Sequence, residues 1–236
     1  MYYNVFVSKD ATLYEKYPNK NTGIDELLEL NKVTYVSLLE GFYQSNTYNS
    51  RILLDFRPQI TEISNSMVSG DIPKPSSSGS RFYLNLRATD SDSLPISYSI
   101  VAYPVSESWD NGTGYYNDVP ETRNGTSWYY RDSYDIATSW QTSSFGGDSD
   151  GAGSATTDGG GTWYTGSRAT QSFDYQQPDI RMDITNIVSF WLESGSSVNN
   201  GIIIKRPKSD EIDSSQFGSL KYFGKDTHTV YAPRIE

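Results

Sequence analysis

Residues 183–207 read DITNIVSFWLESGSSVNNGIIIKRP, and they decide the fold because a helical pattern gives way to a strand pattern within them. Five apolar side chains recur at helical spacing: Ile184, Ile187, Val188, Trp191 and Leu192. This spacing places all five on one stripe and predicts a short amphipathic helix over about residues 184–193. Asp183 suits the N-cap of this helix, and Gly195 suits its end.

The same stretch predicts what surrounds the helix. A helix this short is not stable alone in water, so its apolar stripe must pack on a sheet, with Trp191 in the core. The run Asn199-Asn200-Gly201 then predicts a turn, and IIIK at 202–205 predicts a buried strand.

Strand patterns extend outward from this region. Besides the strand pieces YYNVFVS (2–8) and DATLYE (10–15), four longer segments predict strands: IDELLELNKV (24–33), RILLDFRP (51–58), RFYLNLRAT (81–89) and ISYSIVAYPV (96–105). The first of these four is ambiguous between helix and strand, and the alternation of Leu28 and Leu30 with polar neighbours favours the strand. Pro58 should end the second strand. The third and fourth are joined by a short turn, so we expect them to pair antiparallel, whereas residues 64–80 predict an exposed connection.

Composition and charge exclude several classes of protein. The chain has 236 residues, with 19 Lys plus Arg against 29 Asp plus Glu and a formal net charge of −10. Binding to phosphates needs a basic face, so we expect no nucleic-acid partner, and an anionic membrane surface fits no better. The chain has no cysteine, which excludes disulfides and thiolate metal sites. Its 19 tyrosines and many small polar residues are typical of β-strands joined by turn-rich loops.

The segment of lowest complexity is SFGGDSDGAGSATTDGGGT at 144–162, which predicts a mobile loop. Three acids in it, Asp148, Asp150 and Asp158, raise the question of calcium. Their spacing fits neither an EF-hand loop nor the glycine-rich nonapeptide repeat. We therefore expect no metal and no cofactor.

The sequence offers little for catalysis. His228 is the single histidine, which excludes a site with several histidine ligands, and its alternating surroundings predict an exposed or edge-strand residue. Glu107 and Asp110 flank Trp109 and could form the carboxylate pair of a glycosidase. A turn-capping role explains Asp110 equally well, because Asn111-Gly112 follows it. We expect no enzymatic activity and name no catalytic residue.

Two aromatic loops form the candidate binding site for a partner or a glycan: Trp128, Tyr129, Tyr130, Arg131, Trp163, Tyr164 and Arg168. Exposed aromatic faces stack on sugar rings, and Tyr, Trp and Arg are also frequent anchors in protein interfaces. The alternative is that tryptophans fill the core of the protein: Trp109, Trp128, Trp140 and Trp191. For Trp128 and Trp163 both interpretations stay open.

The order of five segments resembles the DNRLRE-type β-sandwich family, a jelly-roll domain of secreted carbohydrate-binding modules and of structural proteins of tailed phages. The segments are SKDATLYEKYPNKNTG, SRILLDF, VSESWDNGTGYYNDVP, DITNIVSFWLESGSSVNNGIIIK and FGSLKYFGKDTHTVYAPRIE, and together they span most of the chain. There are departures: Tyr115 and Tyr116 stand where the family usually has a second tryptophan, and the chain stops at Glu236, where the last strand of the family continues.

The resemblance implies an all-β fold. It predicts one antiparallel jelly-roll β-sandwich domain over residues 1–236, with the short helix packed on it. A large Gly/Ser/Tyr-rich insertion at about 121–178 looks closest to the virion versions of the family. The start, MYYNVFVSKDATLYE, has no basic segment followed by an apolar one, so we expect no export by a signal peptide and synthesis in a host cytoplasm.

The expected function follows from the family resemblance and from the absence of a signal-peptide pattern. It is that of a non-enzymatic virion structural protein of the neck, tail, baseplate or capsid, which binds other virion proteins and forms a homo-oligomer. The alternative is a carbohydrate-binding module that recognises surface glycans through the aromatic loops.

Overall fold

The computed structural model of the chain describes residues 3–39, 42–75, 79–134, 136–140, 159–174, 177–194 and 198–236. In chain order, the elements are β1 (Val5–Phe6), β2 (Lys9–Tyr14), β3 (Leu27–Leu39), β4 (Phe42–Asp55), α1 (Arg57–Ser69), β5 (Tyr83–Leu86), β6 (Ala88–Asp92), β7 (Ser97–Pro104), β8 (Tyr130–Asp132), β9 (Thr138–Ser139), β10 (Ala169–Asp174), β11 (Ile180–Asp183), α2 (Thr185–Ser194), β12 (Ile202–Lys205), α3 (Lys208–Ile212), β13 (Gly218–Phe223) and β14 (Arg234–Ile235).

The strands form an all-β sandwich, as predicted. The large sheet has the order β10-β7-β12-β4-β3-β13-β6, and β2 also pairs with β4. The small sheet has the order β1-β14-β5-β11, and β8 pairs with β9 separately. Strand β4 joins the two halves of the large sheet: residues 50–55 pair with β2, and residues 42–49 pair with β3. The named strands pair antiparallel throughout.

The central strands of the large sheet are buried on both faces. In β12, Ile202 and Ile204 join the core between the two sheets, whereas Ile203 points to a second apolar cluster on the outer face. In strand β4, Leu54 joins the core between the sheets and Leu53 points to the cluster on the outer face. Because side chains alternate between faces along a strand, an uninterrupted apolar run is what a strand needs when both of its faces are covered. The prediction that IIIK is a buried strand is confirmed.

Helix α2 is the helix that the apolar spacing predicts, shifted by one residue at each end. It buries Ile187, Val188 and Trp191 in the core between the sheets. Asp183 accepts a hydrogen bond from the amide of Thr185 at 3.0 Å and so satisfies a free donor of the first turn. Gly195, the predicted end of the helix, lies outside the described residues.

Helix α1 is absent from the sequence predictions, which expected one helix and an exposed connection from residue 64. Its apolar residues Ile60, Ile63 and Met67 lie on one helical face and pack into the core between the sheets. Pro58 stands in its first turn, and Gly70 ends it in the left-handed conformation with φ +85°. The proline therefore ends β4, as predicted, by starting a helix.

The predicted pairing of segments 81–89 and 96–105 is wrong. Strand β5 pairs with β11 and β14, whereas β7 pairs with β10 and β12. The reason is packing: β5 buries Leu84 from the small sheet and β7 buries Ile100 from the large sheet. The two strands therefore lie in opposite layers of the sandwich.

Candidate functional site

The two tryptophans of the predicted site are interior residues. Trp128 and Trp163 are each 1% exposed and belong to the outer apolar cluster, together with Trp109 and Trp140. We call this cluster the tryptophan layer: Ala11, Leu13, Leu53, Val101, Tyr103, Val105, Trp109, Trp128, Trp140, Trp163 and Ile203. The prediction that Trp128 and Trp163 offer free faces to a glycan or partner is wrong, because both indoles cover the large sheet.

Contacts with the buried Arg51 help to explain why the indoles of Trp128 and Trp163 lie in the interior. The guanidinium carbon of Arg51 lies 4.8 Å from the ring centre of Trp128 and 5.3 Å from that of Trp163. Aromatic faces attract a cation, and more strongly when water is excluded. The alternation along β4 points Arg51 to the outer face, so the tryptophans bury a charge as well as apolar surface.

The other predicted residues do not form one site. Tyr129 is 40% exposed and meets Tyr130 edge to face, with ring centres 6.4 Å apart. Arg131 donates to the carbonyl of Ser108 at 2.9 Å. Tyr164 contacts Phe190 of α2 instead, with ring centres 5.1 Å apart, and Arg168 is exposed just before β10. The structure brings together Tyr129, Tyr130 and Arg131 but neither Tyr164 nor Arg168.

A buried ionic cluster lies beneath the tryptophan layer. Glu211 of α3 accepts two hydrogen bonds from Arg51, at 3.0 Å from Nε and 2.8 Å from Nη2. Lys205 Nζ is 3.1 Å from the same carboxylate. Burial opposes ionisation of Glu211, but Arg51 and Lys205 outweigh it and hold the pKa of this carboxyl below its usual value. The cluster pins α3 onto the sheet.

The acids considered for catalysis have structural partners. Asp110 Oδ1 accepts the amide of Gly112 at 3.0 Å, which confirms the turn-capping interpretation. Glu107 accepts a hydrogen bond from Thr162 Oγ1 at 2.6 Å and lies 3.7 Å from Arg131. His228 is exposed in the turn after β13. Among the described residues, no group of three or more His, Asp or Glu side chains could hold a metal ion.

The predicted mobile loop is only partly described. Residues 144–158, with the three aspartates considered for calcium, lie outside the described residues. Residues 159–162 are buried, and the carbonyl of Gly160 accepts a hydrogen bond from Arg51 Nη1 at 2.6 Å. This end of the segment is packed against the protein, because Arg51 and the indole of Trp128 enclose it.

Near the start of the chain, Asp10 is buried and Asp25 is half-buried, and each accepts a hydrogen bond from a backbone amide. Burial raises the pKa of Asp10 to about 7, against an opposing hydrogen bond from the amide of Lys225 at 2.5 Å. Burial also raises the pKa of Asp25 to about 6, and the nearby charges of Glu29 and Asp118 add to the effect. Both carboxyls therefore lose protons near neutral pH while the protein is folded.

A projecting hairpin carries several exposed apolar side chains on neighbouring positions of two paired strands. Residues 33–39 of β3 and 42–48 of β4 pair only with each other, since β13 reaches only to Lys32 and β2 only to Ser50. We call these two segments the hairpin arm. At about 3.3 Å per residue, seven residues extend roughly 23 Å beyond the sheet.

The hairpin arm has apolar side chains with no cover. Val36 is 66% exposed, Leu38 62% and Tyr43 82%. In the register, Leu38 lies opposite Tyr43, so these two share a face with Val36. Segments 33–39 and 42–48 contain no charged residue and no proline, although the chain as a whole is 20% charged. Natural proteins use charges and prolines to protect free strand edges, and this arm has neither.

No sequence pattern predicted the hairpin arm beyond Val33, where the predicted strand 24–33 ends. The available signal was this absence of charge over residues 33–39 and 42–48. The polarity pattern gave no sign of the arm, because residues 33–39 and 42–48 show no strict alternation of apolar and polar side chains.

Comparisons of the chain with protein-family models, curated proteins and solved structures give no match. The resemblance to the DNRLRE-type family therefore stays a prediction. None of the helices in the described ranges is both long and apolar enough to span a membrane.

Proposed function

We propose that this chain is a non-enzymatic structural protein of a tailed-phage virion, an adaptor or decoration of the neck, tail, baseplate or capsid that is made in the host cytoplasm. The hairpin arm carries the proposal. It holds Val36, Leu38 and Tyr43 in water on a two-stranded ribbon, which has little stability of its own. Contact with neighbouring proteins buries such a surface, whereas in an isolated monomer it only promotes aggregation.

The roles of the acidic residues support a structural function. Glu211 neutralises Arg51 and Lys205 inside the protein, and Glu107 holds Thr162 and faces Arg131. These carboxylates organise loops and α3. Two acids that converge on open space, which hydrolysis of a glycoside needs, are a different arrangement.

Mass spectrometry of particles purified from the phage that encodes the chain tests the proposal. We expect the chain in the particles at a reproducible copy number, and a chain that stays in the supernatant of the lysate overturns the proposal. Leu38→Lys on the hairpin arm should reduce incorporation. Val119→Lys is the matched control, because Val119 is 95% exposed and lies outside the arm.

Glycan binding remains a second candidate through one observation. Tyr129 has an exposed face next to Tyr130 and Arg131, which is a small stacking surface with a hydrogen-bond donor beside it. With both tryptophans buried, this surface offers one ring rather than a platform. The hairpin arm therefore supports the structural role more strongly.

A further inference from the structure

We propose that the hairpin arm pairs with the arm of a second copy of this chain, edge to edge along β3. The result is a four-stranded antiparallel sheet across a two-fold axis. This inference rests on the proposed function, because it names a partner for the hairpin arm. The pairing has its own test.

The outer edge of β3 is open. Strand β13 pairs with β3 as far as Lys32, whose carbonyl accepts the amide of Phe217 at 3.1 Å. Beyond that point no described strand pairs with the outer edge of residues 33–39. Their outward amides and carbonyls are free to form a ladder with another strand.

The edge of β3 suits pairing better than the edge of β4. Val33, Thr34, Tyr35 and Val36 are all β-branched or aromatic, the residue types that favour strands. Residues 44–46 on β4 are Gln-Ser-Asn, which are polar and favour strands less.

The base of β4 is also occupied. Glu15 Oε2 accepts hydrogen bonds from Asn49, at 2.8 Å from the amide and 2.9 Å from the side chain. Lys16 follows, with its ammonium over the ring of Tyr35. A strand that added to β4 would meet Glu15 at this point, whereas the backbone edge of β3 beyond Lys32 has no such contact among the described residues.

The sequence of this edge is self-complementary. A two-fold axis makes a strand pair with itself, so each residue must suit its own symmetry partner. In a register centred on Val36, Val36 faces Val36 of the second copy, Thr34 faces Leu38, and Tyr35 faces Ser37. No charged residue meets another, and the apolar face around Leu38 continues from one arm into the next.

Charge favours a contact through the arms over one through the bodies. Each chain has a net charge of −10, so two bodies repel each other at close range. Arms that extend roughly 23 Å hold the bodies farther apart than the Debye length of about 8 Å at physiological salt. Two copies can therefore meet through uncharged arms with their mutual repulsion screened.

The size of the contact sets its strength. A seven-residue edge with its flanking side chains buries on the order of 500 Å² per copy, less than the roughly 800 Å² of a stable dimer. We expect a weak, concentration-dependent dimer, with a Kd on the order of 10–100 µM. Repetition around a symmetric assembly then strengthens each contact.

The test uses the full chain with lysine or glutamate at the centre of the pairing. Val36→Lys and Val36→Glu each place two like charges against each other across the axis, and we expect each to raise the Kd at least about tenfold in sedimentation equilibrium. An equal mixture of the two variants should dimerise again, because opposite charges then meet.

Ser45→Lys is the matched control. Ser45 lies opposite Val36 within the same hairpin and is also exposed. The substitution Ser45→Lys therefore introduces the same charge as Val36→Lys, but on β4, which does not pair with the second copy. We expect its Kd to stay within about twofold of the unmodified chain. Thermal unfolding followed by circular dichroism verifies that all variants fold.

Three results overturn the inference: a chain that is monomeric up to about 0.5 mM, Val36 variants that dimerise normally, or a Ser45→Lys effect equal to that of Val36→Lys. The last result puts the contact on β4. A folded, monomeric chain that is still found in purified particles contradicts the pairing alone, whereas absence from the particles contradicts the proposed function.

Discussion

Arg51 of β4 and Glu211 of α3 are 160 residues apart in the sequence and form a buried, two-pronged ion pair. The pair fixes a short helix against the large sheet and lies under the indoles of Trp128 and Trp163. Lys205 shares the carboxylate, so a single acid neutralises two cations inside the protein.

Removal of this acid should destabilise the fold. We expect Glu211→Gln to lower the free energy of unfolding by about 3–5 kcal/mol, because it leaves Arg51 and Lys205 buried without a counter-charge. Urea denaturation measures the change. Glu62→Gln, the same substitution at an exposed position of α1, should stay within about 0.5 kcal/mol of the unmodified chain. Equal effects at the two positions contradict a structural role for the ion pair.

Mild acid should stabilise the protein. The folded pKa of Asp10 is about 7, above its usual 3.8, so folding takes up a proton. The stability from this proton is fully present below pH 4 and is lost as the pH rises through 7, by at most about 1.4 kcal/mol per pH unit. Asp25, with a pKa of about 6, acts in the same direction. We expect a higher Tm at pH 5 than at pH 8.

At more acidic pH, the dependence of stability on pH has the opposite sign: stability falls as the pH falls. The pKa of Glu211 is lowered, so the stability from its ion pairs is present above its unfolded pKa and is lost as the pH falls through its folded pKa. Stability should therefore pass through a maximum in mild acid.

A variant separates Asp10 from the general charge of the chain, since acid also relieves the repulsion of an acidic protein. Asp10→Asn keeps an acceptor for the amide of Lys225 and should flatten the profile between pH 5 and pH 8. Asp92→Asn removes the same charge at an exposed position and should leave the slope unchanged. An Asp10→Asn profile as steep as that of the unmodified chain would show that other groups take up the proton.

Three glycines should tolerate alanine to very different degrees. Gly201 has φ +93°, and a Cβ there would lie 2.2 Å from the carbonyl oxygen of Leu54, so Gly201→Ala should cost about 3 kcal/mol or more. Gly70 has φ +85° but open space, so its alanine variant should cost about 1 kcal/mol. Gly166→Ala should be neutral, because neither constraint applies. Thermal unfolding gives the order, and a different order contradicts this backbone geometry.

The aromatic loops allow a test of glycan binding that does not depend on unfolding. Trp163→Ala should cost about 3–5 kcal/mol of stability, because it empties a site in the tryptophan layer. Tyr129→Ala should cost less than about 1 kcal/mol, since its ring is partly exposed. On a glycan array we expect no binding by the unmodified chain. Binding that disappears in folded Tyr129→Ala would instead favour the carbohydrate-binding alternative.

The comparison of α1 with α2 explains which helices could be predicted. For α2, five apolar residues in close succession, Ile184 just before the helix and four within it, make the stripe obvious. Four of them are buried in the core, and Leu192 packs against it while partly exposed. In α1 only Ile60, Ile63 and Met67 form the stripe, and serine, threonine and asparagine surround them. Pro58 and Gly70 mark its two ends, so the local signals were present in a segment whose composition resembles a loop.

Strand partners could not be predicted from local patterns. Alternation identified the buried positions Leu84 and Ile100, but it does not specify whether two strands lie side by side or in opposite layers. The burial of Trp128 could not be predicted either, because it too depends on a contact between residues far apart in the sequence. The indole of Trp128 covers the guanidinium of Arg51, which is distant in the sequence. The residues around position 128 therefore contain no signal for this contact.

The first and last strands of the described chain are neighbours. Val5 pairs with Ile235, and Asp10 accepts the amide of Lys225, 215 residues later. On a ribosome that adds about 5–20 residues per second, β1 has no partner until roughly 10–50 s after it is made. The sandwich is therefore completed after translation of its last strand, and the nascent chain must keep an unpaired strand soluble for all that time.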